Sequence, residues 1–192
     1  MSGWGQTSCK WPSATHLAPG SSVFPGEVPP GTDPGTPAAR ARASTFSITT
    51  TAGTTSGSLV SAVYLKDGTA DFYYQVSNDP TSAFPLVALE ATSFAYFKTC
   101  VAFRTDGSSL PGFQNGTNPP VTASSSSPPP AGGFEIGFQF YPPAGSPAEV
   151  APGSTSMVFI VSTDAAHVSN QGATIILDQA AGAMVPGYQP IR

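Results

Sequence analysis

The sequence predicts an all-β fold: a two-sheet antiparallel sandwich, Ig-like or jelly-roll in type, with an extended Pro/Gly-rich N-terminal arm. Three observations predict this fold. The 192 residues include 20 Gly and 21 Pro, which disfavour long helices. Short stretches of alternating apolar and polar residues recur from about residue 45 onward. Hydrophobic residues make up 40% of the chain, with 12 Phe and 6 Tyr, which is enough to fill one core.

Residues 1–44 form the predicted arm, because Pro and Gly recur throughout this region and exclude helices and interior strands. Such a segment favours polyproline-II and turn conformations. The sequence leaves open whether it is a disordered tail or a docked arm, but its scattered apolar residues suit docking. The expected anchors are Trp4, Trp11, Leu17, Val23 and Phe24.

Residues 45–192 form the predicted sandwich domain. The clearest local signal is Asp67-Gly68 between two apolar runs, which predicts a tight β-hairpin. Residues 134–141 alternate cleanly and predict a strand with one apolar face, whereas residues 105–132 predict a long irregular connection. The expected strands are 46–51, 58–66, 70–77, 86–92, 94–103, 134–141, 156–161 and 173–178.

The charge composition limits the partners. The net charge is −4, with only seven Lys and Arg and no basic cluster, so nucleic acid is not an expected partner. No apolar run reaches about 18 residues, so no transmembrane segment is expected. The N-terminal residues lack the charged start and apolar stretch of a secretory leader, which leaves the export route open.

Two cysteines, Cys9 and Cys100, lie far apart in the sequence. Neither clustered metal ligands nor a Cys-x-x-Cys redox motif is present. The secreted type of composition favours a disulfide over two buried free thiols. Within one chain the bond would join the arm to a core strand, and between chains it would be a covalent link in a polymer. The sequence leaves this choice open.

The candidate catalytic residues do not form a recognisable site. Only His16 and His167 could serve as the base of a Ser-His-Asp hydrolase, and no Gly-x-Ser-x-Gly motif accompanies them. Glu90 and Glu135 are the strand carboxylates that glycoside hydrolysis would need as a pair, but solvated side chains are the preferred interpretation. We therefore expect no enzyme and no cofactor.

Three other kinds of site are weighed in the same way. Asn115 begins an Asn-Gly-Thr glycosylation pattern in the long connection. Residues 72–74 are aromatic and could stack on a polysaccharide, but core packing is the preferred interpretation. A structural calcium ion is weighed as well, but turn chemistry explains the Asp-Gly pairs and no metal is expected. The carboxylates considered for it are Asp67, Asp71, Asp79 and Asp106.

Several stretches together carry a resemblance to a known family. Residues 59–79, 103–112, 137–140 and 158–164 resemble, in this order, parts of secreted bacterial PEP-CTERM-type surface proteins. The resemblance covers roughly the sandwich body, and it implies export, sorting to the envelope and association with extracellular matrix. It implies no catalytic residue set. The Pro-Glu-Pro sorting tail of the family is absent from the C-terminal residues.

These observations predict an extracellular or cell-surface structural protein. The preferred hypothesis is a homopolymer, in which the arm of one copy docks onto the sandwich of a neighbour by β-strand addition and builds a surface filament or matrix. The alternative is a monomeric secreted surface or matrix protein that binds polysaccharide.

Overall fold

A computed structural model describes residues 9–94, 96–126, 135–140 and 149–192. In this part of the chain the secondary structure consists of β-strands and one short 3-10 helix, Gly107–Ser109. The strands are β1 (Thr15–Leu17), β2 (Ser22–Val23), β3 (Gly26–Glu27), β4 (Thr36–Thr50), β5 (Gly53–Lys66), β6 (Thr69–Asn78), β7 (Leu86–Ala91), β8 (Thr99–Arg104), β9 (Thr122–Ser125), β10 (Ile136–Gln139), β11 (Val158–Thr163), β12 (His167–Asp178) and β13 (Gly182–Ile191).

The strands form two sheets, which confirms the predicted all-β sandwich. Sheet 1 has the strand order β1-β8-β11-β6-β5-β4, with β3 also paired to β8. Sheet 2 has the order β13-β12-β7-β10-β9-β2. Among the named strands the pairings are antiparallel except for β3 on β8, which is parallel.

The β5–β6 hairpin closes at Asp67-Gly68, as the sequence predicts. Lys66 pairs with Thr69, so the loop has two residues, and both lie in the left-handed region with φ of 54° and 79°. A two-residue loop with positive φ matches the right-handed twist of the flanking strands. The hairpin then keeps an unbroken register to the pair Gly57–Asn78, which fixes the side chains that β5 and β6 present to each face of sheet 1.

The main core lies between the inner faces of the two sheets. Large side chains from both sheets meet there: Phe138 of β10 stacks on Phe159 of β11 with ring centroids 5.0 Å apart. The Tyr74 hydroxyl in this core donates a 2.6 Å hydrogen bond to the Tyr188 carbonyl oxygen of β13. Burial of such aromatic surface is the main stabilising contribution in a sandwich of this type.

The outer face of sheet 1 is also buried, because two irregular segments cover it. Every residue of β6 from Ala70 to Val76 is buried, on both faces of the strand. A second apolar cluster forms on this outer face. Trp11 and Val28 of the arm contribute to it together with Leu110 and Phe113 of the long connection. The two segments that look least structured in the sequence therefore form a third layer over sheet 1.

The predicted arm boundary at residue 44 falls inside a strand. Strand β4 begins at Thr36, so residues 36–44 belong to sheet 1 and not to a separate arm. Pro-rich sequence is compatible with this position because β4 is an edge strand, where a missing N–H leaves no interior ladder bond unmade. The described residues 9–35, which precede β4, are the arm of the observed structure.

Other strand boundaries differ from the prediction for physical reasons. The strand expected over 94–103 begins at Thr99, because residues 96–97 form a turn and bend. Strand β13 is not among the expected strands. Its Pro186 and Pro190 are tolerated because it lies at the edge of sheet 2. Part of the expected strand 134–141 lies outside the described residues, and β10 covers Ile136–Gln139.

Candidate functional site: the arm docked on sheet 1

The arm adds short strands to both sheets of its own sandwich. Strand β1 pairs with β8 in sheet 1, β2 pairs with β9 in sheet 2, and β3 returns to β8. The arm thus passes from one sheet to the other and back along the same side of the sandwich. It occupies backbone edges of β8 and β9 that would otherwise present unpaired N–H and C=O groups.

Strand register places a line of polar residues on the outer face of sheet 1. Tyr64, Asp71, Ser162, Cys100 and His16 occupy consecutive strands, each the pairing partner of the next. The end of the arm lies against this line through three consecutive residues, Cys9, Lys10 and Trp11, which we call the arm lock.

The first contact of the arm lock is covalent. Cys9 and Cys100 form a disulfide within one chain, with Cα atoms 5.8 Å apart and a sequence separation of 91. The predicted disulfide is therefore present, in the intrachain form that joins the arm to a core strand. In the described residues neither cysteine is left free.

The second contact is a buried ion pair. The Lys10 Nζ atom donates to Oδ1 of Asp71 at 2.8 Å and to the carbonyl oxygens of Lys66 and Thr69 at 3.2 and 3.1 Å. The Asp71 side chain is 0% exposed, and burial raises its pKa although hydrogen bonds from Lys10 and Ser162 act in the opposite direction. All three ammonium protons have acceptors, whereas the second carboxylate oxygen of Asp71, Oδ2, is buried with no hydrogen-bond partner among the described residues.

The third contact is the Trp11 side chain, which is 2% exposed and packs into the outer apolar cluster. Lys66 Nζ lies 4.0 Å from the Trp11 ring centroid, a cation–π distance. Because the indole is buried within this cluster, it resembles a core residue more than a linker side chain.

A second polar anchor holds the segment between β3 and β4. Arg104, 1% exposed, donates from Nε and Nη2 to the two oxygens of Asp106 at 2.8 Å each. Asp106 Oδ2 also accepts the Gly31 N–H at 2.7 Å. The hydrogen bonds from Arg104 lower the pKa of Asp106 well below its usual range. The hydrogen bond from the Gly31 N–H and the positive charge of Arg104 act in the same direction.

The structure places the expected anchors in different environments. Trp11 and Leu17 are buried, and Val23 packs partly buried against the main core. Phe24 is 73% exposed and so does not anchor the arm on its own chain. Trp4 lies outside the described residues.

The weighed catalytic residues are placed as follows. His16 and His167 are both exposed and lie on different sheets, in β1 and β12. Glu90 lies in β7 and Glu135 directly precedes β10, the neighbouring strand of sheet 2, and both side chains are half-buried. Burial raises the pKa of Glu90, and the charge of Glu135 adds to that rise. The structure thus brings these two carboxylates near one another.

The remaining weighed sites involve glycan, sugar and calcium. Asn115 is exposed, and its side-chain oxygen accepts the Ser108 N–H at 2.9 Å. The aromatic residues 72–74 are 0% exposed and pack in the protein interior, so they present no face to a sugar. Asp71 and Asp106 are held by Lys10 and Arg104. In the described part of the chain no group of three or more His, Cys, Asp or Glu is placed to hold a metal ion.

Sequence reasoning did not identify Lys10, Asp71 and Arg104 as structural partners. A signal was present: Asp71 and Arg104 each occur within runs of apolar strand residues, where a charge needs a partner. Lys10 follows Cys9 directly, so the disulfide brings Lys10 close to Cys100. The sequence alone does not place Cys100 near Asp71 in sheet 1.

Among the described residues, no helix is long and apolar enough to cross a membrane.

Comparisons with known proteins do not assign the chain to a family. No model of a known protein family, no curated protein and no solved structure matches the sequence or the fold. The resemblance to PEP-CTERM-type surface proteins accordingly stays a prediction.

Proposed function

We propose that this chain is an extracellular structural protein, a subunit of a surface filament or matrix in which arms dock onto neighbouring sandwiches. The observation that carries the proposal is the docked arm. Its three short strands recognise β8 and β9 through backbone pairing, and its arm lock adds a disulfide, an ion pair and a buried indole. The arm of a second copy offers the same groups to the same edges.

Because the arm occupies its own sandwich, assembly by this route is an exchange of arms between copies. The arm joins β4 through residues 28–35, a segment with three prolines and two glycines. In that segment, Gly31 and Gly35 have φ of 76° and 97°. An exchanged arm would keep every contact of the arm lock. The contacts of this connection, including the Gly31–Asp106 hydrogen bond, would change with its path. Exchange that does not close into a ring produces a fibre.

The exchange can be tested with two complementary single-cysteine chains. Cys100→Ser retains Cys9 on the arm, and Cys9→Ser retains Cys100 on the sandwich, so a Cys9–Cys100 bond can form only between chains. The two variants are reduced, unfolded, mixed and refolded in an oxidising buffer, and each is refolded alone as the control. We expect a covalent dimer in the mixture, with a Cys9–Cys100 peptide identified by mass spectrometry.

Absence of that cross-linked peptide above the level of random thiol pairing would contradict arm exchange. Electron microscopy of refolded wild-type protein then supplies the larger-scale readout, since a subunit of this kind forms filaments or sheets. Deletion of residues 1–44 is a poor substitute, because it removes the first part of β4 as well as the arm.

A second candidate function is a monomeric surface or matrix protein that binds polysaccharide. The observation that favours it is the docking of the arm on its own sandwich. The arm already pairs with the edges of β8 and β9, so a single chain leaves neither edge open for a second copy. Light scattering combined with a glycan array separates the two. A monodisperse monomer that binds a glycan supports this candidate, and large species without glycan affinity support the structural subunit.

A further inference from the structure

The disulfide borders a surface cavity of about 160 Å³. Cys9 and Cys100 are both among its lining residues, so a small reagent that enters the cavity comes next to the two cysteines. The other lining residues have polar or charged side-chain groups, although apolar atoms make up most of the cavity surface. They are Lys10, His16, Thr69, Lys98, Ser162, Thr163 and Asp164.

The two cysteines differ in their attachment. Cys100 lies inside β8, paired on one side with Ser162 and on the other with His16, and is 9% exposed. Cys9 is half-buried and belongs to the arm, whose backbone is not part of a strand at that point. The Cys9 sulfur is therefore the one better able to change partners, while Cys100 stays fixed on the sheet.

The surroundings of Cys100 suit a leaving thiolate. His16 is its cross-strand neighbour, and Lys98 precedes it by two residues and lines the same cavity. Lys10 lines this cavity too, although its ammonium group is held by Asp71. The Asp164 carboxylate, also in the cavity wall, accepts the backbone N–H of Lys98. Hydrogen-bond donors and cationic groups beside a thiol stabilise its thiolate, and a more stable thiolate leaves more readily in disulfide exchange.

We propose that Cys9–Cys100 is a thiol–disulfide exchange site whose partner is the Cys100 thiolate of a second copy; this rests on the proposed arm exchange. The incoming thiolate bonds to Cys9 Sγ, and the electron pair of the Cys9–Cys100 bond leaves with Cys100 Sγ. One disulfide is broken and one is formed, so no external oxidant or reductant is consumed. The released thiolate attacks the next copy, and a single reduced chain converts intrachain links into interchain links.

Native-state reduction by dithiothreitol tests whether the site reacts while the protein is folded. We expect the reduction rate to rise in proportion to dithiothreitol concentration and to exceed the global unfolding rate measured in the same buffer. His16→Gln is expected to slow reduction by about threefold or more while leaving the unfolding rate unchanged. His167→Gln, the matched control on the other sheet, is expected to change neither rate. A reduction rate that levels off at the unfolding rate would overturn the proposal.

Two further measurements identify the sulfur and the partner. Acid-quenched reaction with 2-mercaptoethanol should place the adduct on Cys9, and an adduct on Cys100 would refute the assignment. Oxidised wild-type protein mixed with a small amount of reduced Cys9→Ser chain should give disulfide-linked dimers and larger multimers on a non-reducing gel. Their absence would refute the second copy as partner. If dimers form on co-refolding but not from folded protein, arm exchange stands and this inference fails.

Discussion

Removal of the disulfide by Cys9→Ser/Cys100→Ser should lower the free energy of unfolding by several kcal/mol. The bond closes a loop with a sequence separation of 91, and the chain-entropy relation gives about 4.6 kcal/mol at 25 °C for a loop of that length. Native domains are stable by only about 5 to 15 kcal/mol, so this loss is a large share of the total. The physical reason is that the cross-link restricts the unfolded chain.

Urea denaturation followed by tryptophan fluorescence measures this loss. The double variant is compared with oxidised wild type and with wild type reduced in dithiothreitol, which controls for the serine side chains. Reduced wild type and the double variant should agree. The reasoning would be refuted if the free energy of unfolding fell by less than about 1 kcal/mol while its slope against urea concentration stayed unchanged. The bond would then not act by restricting a disordered unfolded chain.

Three other perturbations test the packing of the arm and of the sheets. Trp11→Ala should cost about 3 to 5 kcal/mol by opening a cavity in the outer cluster, and Trp11→Phe clearly less, as measured by thermal or urea unfolding. Asp106→Asn should cost about 2 to 3 kcal/mol at pH 7 by weakening the hydrogen bonds to buried Arg104. Because folding lowers the pKa of Asp106, its contribution is present above about pH 4 and is lost as the pH falls, so the stability difference from wild type should shrink in acid titrations. Gly57→Ala should destabilise by about 1 to 3 kcal/mol, since its Cβ would lie 2.1 Å from a backbone oxygen, whereas Gly137→Ala, whose nearest neighbour is at 3.5 Å, should be close to neutral in the same assay.

The local signals in the sequence predicted the centre of the fold well. Asp67-Gly68 defines a hairpin because its conformation depends on two residues alone, and the alternation that precedes and follows it fixes the faces of β5 and β6. The choice between an intrachain and an interchain disulfide depends instead on whether Cys9 reaches β8 of its own sandwich. Spacing in the sequence carries no information on that distance.

The outer layer of sheet 1 could not be predicted for a related reason. Proline and glycine correctly excluded helix from the arm, but they say nothing about which surface Trp11 and Val28 cover. The buried charge of Asp71 becomes understandable only once Lys10 is brought to it from more than fifty residues away. Long-range contacts of this kind are set by the packing of whole elements and not by local propensity.

The pairing of the arm with β8 and β9 has a consequence for biosynthesis. The arm leaves the ribosome well before its partners, because Thr99–Arg104 and Thr122–Ser125 lie more than sixty residues further along the chain. Its native contacts are therefore among the most distant in the chain, and such contacts form slowly. During this delay the strands that pair with the arm do not yet exist, so the proposed exchange of arms between chains is expected in the interval before oxidation of Cys9.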